Sequence, residues 1–221
     1  MTTKRSLTEI VYQLHLSFLL SEAKNDITKH SFSYLSFAMR PFYGMISEGF
    51  SMLKGGILTA SDKGARGERH DESSPVIRKC LAPLEIKWVE YAIVPDEREA
   101  ISARLKEWAD EAGLDLILTT GGTGLSPRDV TPEATLAIVE RMAPGFTEVM
   151  RTEGLKKTPF AMLSRAVAGI RGKTLIINLP GSPKAVVESL DAILPALPHA
   201  IETLRGEARE CASRRDEEGA R

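Results

Sequence analysis

The sequence is poor in the residues that build metal centres and disulfide frameworks. It has two cysteines, Cys80 and Cys211, in 221 residues. Neither sits in a C-x-x-C pair, and two thiols alone make neither a zinc site nor a secreted disulfide scaffold. The four histidines, His15, His30, His70 and His199, are scattered, without H-E-x-x-H spacing. Nothing therefore supports protein-held zinc or iron. No apolar run reaches the roughly 18 residues that a membrane helix needs. The stretch Leu14 to Leu20 is interrupted by His15 and Ser17, and no small-residue cleavage site follows closely, which argues against a signal peptide. A cytoplasmic protein without a membrane partner is expected. An excess of one charge is also missing: 29 Lys+Arg face 30 Asp+Glu, for a net charge of -1. That balance gives no long-range attraction to nucleic acid. What is present, 43% hydrophobic and 27% charged residues, is ordinary globular composition.

The chain divides near residue 52. Of two Trp, four Tyr and seven Phe, eight lie before Met52. Residues 1–51 show one short helical pattern, Leu7 to Ala23, and lack the glycine turn signals found later. Three readings of this extension stand open: an appendage that packs on the core, a partner-binding arm, or a misplaced start with Met52 as the true first residue. The last has a specific hint, since Glu48-Gly49 can be encoded as GAAGGA, a ribosome-binding sequence, just ahead of Met52. Residues 52–204 have the length of one doubly wound domain, and 205–221 read as a charged, solvated and frayed tail.

Within 52–204, strands and helices alternate. Gly55 to Ala60, Glu85 to Val94, Leu114 to Thr119 and Lys173 to Leu179 read as strands. Pro75 to Leu84, Glu97 to Ala112, Pro132 to Met142 and Gly145 to Glu153 read as helices. Ile101, Leu105, Trp108 and Ala112 mark an apolar face at helical spacing. Ser182 opens a long helix that Pro195 and Pro198 kink or break. Such alternation predicts an α/β fold with a mostly parallel sheet covered on both faces.

Ligands of such sheets bind outside the carboxyl ends of the strands, and the unusual residues fall in those loops. Thr119-Thr120-Gly121-Gly122-Thr123-Gly124 lets the backbone approach an anion closely. It matches neither a Walker A loop nor G-x-G-x-x-G. Asp96 has the look of a helix cap, with Glu99 three residues on. Asp129 is less easily explained that way, because Thr131 is the better cap and Pro132 suits the first helical position. A carboxylate beside a phosphate cradle calls for a cation, and magnesium is the usual one. Ser182-Pro183 is ordinary helix-start chemistry that also aims N–H groups at the cleft. Lys63, Arg66, Arg128 and Lys184 could supply positive charge. No nucleophile paired with a base is visible. Phosphoryl or nucleotidyl transfer by positioning and charge neutralisation fits best.

Several segments carry a resemblance: Ser61-Asp62, Val94-Pro95-Asp96-Glu97, Leu118 to Gly124, Arg128-Asp129-Val130-Thr131-Pro132-Glu133, Leu163 to Gly169, and Asn178 to Lys184. In this order and spacing, from about Met52 to Leu204, they resemble the molybdopterin adenylyltransferase family of the MogA/MoaB type, to which the gephyrin G domain also belongs. The resemblance implies a three-layer α/β sandwich, usually a homotrimer. It also implies magnesium-dependent adenylylation of molybdopterin by ATP, giving adenylyl-molybdopterin and pyrophosphate, ahead of hand-off to a molybdenum-insertion enzyme. By motif match, Asp96 and Asp129 become the catalytic and magnesium-binding aspartates. Ser61, Asp62, Thr120, Gly121, Gly122, Thr123, Gly124, Arg128, Pro180, Gly181 and Ser182 become the nucleotide and pterin contacts. The resemblance does not reach residues 1–51 or the tail. Two other readings remain: a non-catalytic pterin-binding scaffold, and a CinA-type nucleotide pyrophosphatase. The latter's glycine loop typically runs G-G-L-G-P-T before two adjacent aspartates, unlike the single Asp129 after Arg128 here.

Overall fold

The computed structural model describes residues 52–207; the expectations for residues 1–51 and for 208–221 lie outside the described residues. Four parallel strands form the body of the sheet: β1 (Lys54–Ala60), β2 (Lys87–Val94), β3 (Leu116–Thr120) and β6 (Thr174–Leu179). Two antiparallel strands, β4 (Arg141–Met142) and β5 (Ala168–Arg171), complete one edge, in the order β2-β1-β3-β6-β5-β4. The order reverses between β1 and β3, so the crevice that doubly wound sheets use for ligands opens at the ends of these two strands.

β1, β3 and β6 are near-continuous buried runs because both faces are covered, whereas the edge strand β2 alternates between exposed and half-buried residues. Leu58, Ile117 and Ile176 face α3 (Arg98–Asp110) and α4 (Thr131–Leu136), in a cluster with Ile101, Leu105, Trp108 and Ala134. Their alternates Ile57, Leu118 and Ile177 are fully buried and point to the opposite face, as period-2 pleating requires. There α2 (Ser73–Cys80) and α5 (Pro144–Leu155) both pack against α6 (Pro183–Ile193). A short helix α1 (Asp62–Ala65) follows β1, and α7 (Leu197–Arg205) closes the described chain. The result is the expected three-layer α/β sandwich.

The long helix from Ser182 is broken as expected, with a 3-10 turn at Leu194–Ala196 separating α6 from α7. Other elements depart from expectation. The helix expected over Pro132 to Met142 stops at Leu136. The chain must turn there to lay β4 beside β5, where the Glu140 amide donates to the Ile170 carbonyl at 2.8 Å. Strand β5 is an addition to the expected elements; it joins β6 through a tight turn with Gly172 at φ +55°. Arg205 belongs to α7 rather than to a solvated tail. Its guanidinium grips Asp115 at 2.8 and 2.6 Å. The Asp115 carboxylate also accepts the Lys54 amide at 2.7 Å, so one aspartate ties together the starts of β1 and β3 and the end of α7.

Candidate active site

A cleft of about 710 Å³ opens at the carboxyl ends of β1 and β3. Its floor is the turn after β3. Gly121 and Gly122 have φ of +93° and +63°, values that suit glycine. A Cβ on Gly121 would lie 2.3 Å from the Ala60 carbonyl oxygen, and one on Gly122 would lie 2.4 Å from Thr131 Oγ1. These positions therefore need glycine both for conformation and for space. Contrary to expectation, Thr131 does not cap α4. Its hydroxyl donates to the Gly121 carbonyl at 3.0 Å, and its amide donates to the Gly122 carbonyl at 3.1 Å. The residue folds the turn back onto itself, and Val130 takes the cap position.

Behind the turn lies a satisfied polar network. The Asn178 amide group donates to the hydroxyls of Thr119 and Thr135 at 3.0 and 2.9 Å, and its Oδ1 accepts the Val167 amide at 3.2 Å. Asn178 is a fully buried residue of β6. Such a network fixes one arrangement of the strand ends, since any member left unpaired in the interior costs free energy.

Asp96 and Asp129 both face this cleft. Asp96 is not a helix cap. Its Oδ2 accepts the Asp62 amide at 2.9 Å, while Glu97 stands at the start of α3 without a side-chain cap. Its Oδ1 lies 3.1 Å from where a Gly122 Cβ would stand. Burial, aided by the neighbouring charges of Asp62 and Asp129, pushes the Asp96 carboxyl above the ordinary range. The Asp129 carboxylate accepts the Ser126 amide at 2.8 Å and stands against Gly124.

The remaining expected residues divide between lining and frame. Ser61, Thr120, Gly121, Gly122, Gly181 and Ser182 line the cleft. Ser61 caps α1 through the Gly64 amide, and Ser182 caps α6 through the Ala185 amide. Pro180 serves through its carbonyl, which accepts the Thr120 hydroxyl at 2.7 Å. Thr123 is buried and Gly124 half-buried, and the carbonyls of both are held by Arg165. Arg128 is not a free cation: it grips Asp62 at 3.0 and 2.7 Å. That contact holds the Asp62 carboxyl below the ordinary range.

Sequence reasoning missed Asp71 and Arg165. Asp71, one residue ahead of the cap position at Glu72, accepts the first two amides of α2, from Ser73 and Ser74, and also accepts the hydroxyls of Thr59, Ser74 and Tyr91. Burial alone would raise its carboxyl, but the hydrogen bonds outweigh it and leave the group below the ordinary range. The available signal was Asp-x-Ser-Ser ahead of Pro75, a capping pattern. Ser73 then reaches across to donate to the Gly181 carbonyl at 3.1 Å.

The arrangement can hold polyphosphate. A glycine turn, the N-terminus of α6 and two carboxylates line one cleft, and turn amides and helix starts are groups that bind phosphate. Magnesium fits the donor set: the carboxylates of Asp96 and Asp129, neither of them paired with Arg128, line the same cleft. Among the described residues no three His, Cys, Asp or Glu side chains gather to hold a metal by themselves, and magnesium normally completes its shell with waters and substrate phosphates.

A family model described as a probable molybdopterin binding domain matches residues 56–199. The chain is 47% identical over 156 residues to molybdopterin adenylyltransferase of Helicobacter pylori strain J99, covering 68% of this chain and 87% of that protein. It is 42% identical over 149 residues to the enzyme of the same name from Escherichia coli K12, covering 65% and 75%. Among solved structures, the molybdopterin biosynthesis enzyme MoaB from Thermus thermophilus is 56% identical, with a TM-score of 0.68, over 72% of this chain and all of that one.

Proposed function

The chain belongs to the probable molybdopterin binding domain family, and on that premise we propose that it is a molybdopterin adenylyltransferase. In this reading it joins molybdopterin and ATP to give adenylyl-molybdopterin and pyrophosphate. The observation that carries the reading is the meeting of Asp96, Asp129 and the Gly121-Gly122 turn in one cleft.

The chemistry asks little of side chains as acids or bases. The terminal phosphate of the pterin is already an anion. Its oxygen forms a bond to the α-phosphorus of ATP, and the bond to the pyrophosphate oxygen breaks. The chain's work is to align the two phosphates and neutralise charge. The turn amides and the start of α6 hold phosphate oxygens. Asp96 and Asp129 would hold magnesium, which supplies charge neutralisation on the phosphates when bound. Cys80 offers no competing nucleophile, since burial, aided by Asp191, pushes its thiol up to about 11. The enzyme acts in the cytoplasm as a homotrimer and passes its product to a molybdenum-insertion enzyme.

The test is incubation of the full chain with molybdopterin and Mg-ATP, with products read by mass. Adenylyl-molybdopterin and pyrophosphate that require both pterin and magnesium support the reading. ATP hydrolysis without pterin would point to a nucleotide pyrophosphatase, and pterin binding without product to a scaffold.

A further inference from the structure

The turn that carries Asp129 is gripped from outside at several points by one residue, Arg165. Arg165 follows the 3-10 turn Pro159–Leu163, far along the chain from the Gly121–Glu133 segment. Its Nε donates to the Gly124 carbonyl at 2.6 Å. Its Nη1 donates to Glu133 Oε1 and its Nη2 to the Asp129 carbonyl. Its backbone amide donates to the Thr123 carbonyl at 2.9 Å. Four bonds from one residue thus span the loop from Thr123 to Glu133.

We infer that Arg165 is a positioning residue for the adenylyl-transfer reaction: it fixes the glycine turn in the shape that aims the Asp129 carboxylate into the cleft. This rests on the function proposed above. The guanidinium touches the Asp129 carbonyl, leaving the carboxylate free for the cleft and for the Ser126 amide. Three acceptors in three directions match a planar, five-donor fork, and the point charge of a lysine cannot reach all of them. Arg165 is itself anchored. Arg151 on α5 donates to the Ala166 carbonyl at 3.2 Å, and Ala166 is buried. The loop is therefore tied through Arg165 to the helical layer beneath the sheet, and not only to its own neighbours. A displacement of about 1 Å at the reacting centre can cost a hundredfold in rate, so a loosened Asp129 should be felt in turnover.

The experiment compares the full chain with Arg165→Ala and Arg165→Lys. Amide exchange is read at Asp129 and Thr131, whose N–H groups bond within the loop to the Ser126 and Gly122 carbonyls. Both variants should lose protection there, on the order of tenfold, while the amides of β3 and β6 keep theirs. In turnover, kcat should fall about ten- to a hundredfold, with the KM for molybdopterin nearly unchanged. Added guanidinium ion should restore part of the rate in Arg165→Ala, and lysine should not substitute. Unchanged exchange in the loop would overturn the inference. So would a rate loss that merely tracks the fraction of unfolded protein, or an unchanged kcat. An inactive parent chain would instead refute the proposed function, and the exchange comparison would still decide whether Arg165 holds the turn.

Discussion

Asp62 and Asp96 exchange hydrogen bonds across the mouth of the cleft. The Asp62 amide donates to Asp96 Oδ2 at 2.9 Å, and the Asp96 amide donates to Asp62 Oδ1 at 3.1 Å. Two like charges are thereby locked side by side at the ends of adjacent strands. Arg128 balances one of them, and the other stays half-buried with its carboxyl raised.

Arg128→Ala should separate these roles. The Arg128–Asp62 pair is exposed, and exposed pairs contribute little to stability. The thermal midpoint should move by no more than about 2 °C. Turnover should fall at least severalfold, because Asp62 then adds an unbalanced charge beside Asp96. Parallel melting and pyrophosphate-release assays check this; a large loss of stability with normal turnover would contradict it.

Asp71 predicts the sign of the acid limb. Its folded carboxyl lies below its unfolded value, so its contribution is complete above the unfolded range, near pH 4. The contribution drains away as pH falls through the depressed folded value. Asp71→Asn should flatten the decline in stability below about pH 4, measured by urea unfolding at a series of pH values. An unchanged acid limb would count against the hydrogen-bond cluster around Asp71.

The middle of the sheet was legible because β1, β3 and β6 are apolar runs flanked by glycine and because the face marked by Ile101, Leu105 and Trp108 has helical period. The antiparallel edge was not. Strand β5 is four residues long, and its only marker is the Gly172-Lys173 turn before β6. In the site, glycine spacing revealed the turn, and motif order singled out Asp96 and Asp129. Partner choice was hidden. Asp96 reads locally as a cap, and only the register of β1 beside β2 brings it to the Asp62 amide. Arg128 reads as a free cation until Asp62 is found opposite. Arg165 is 41 residues from Gly124, and nothing local announces such a contact.

The Asp115–Arg205 pair should be a main anchor of the last helix. Side-chain exposures are 13% and 9%, so removal of one partner leaves a largely buried charge. Asp115→Ala should cost about 3 kcal/mol, seen as a lower urea midpoint. A change below about 0.5 kcal/mol, the range of ordinary surface substitutions, would show that the pair is dispensable.

Cys80 should be inert. A thiol pushed up to about 11 has about a hundredfold less thiolate at pH 8 than an ordinary one. Peptide-mapped alkylation of the native chain should label Cys80 far more slowly than the same peptide after unfolding. Equal rates would contradict the burial that raises it.

The charges of Asp129 and Asp96 are central to the proposed reaction, and isosteric replacement tests them directly. Asn at either position can still accept the Ser126 or Asp62 amide, so the fold should stand, with a loss of no more than about 1 kcal/mol, as for a weakened cap. The measurement is the rate of adenylyl-molybdopterin formation from molybdopterin and Mg-ATP by Asp129→Asn and Asp96→Asn. Each folded variant is expected to lose the reaction. Full turnover by both would contradict the proposed role of the two carboxylates.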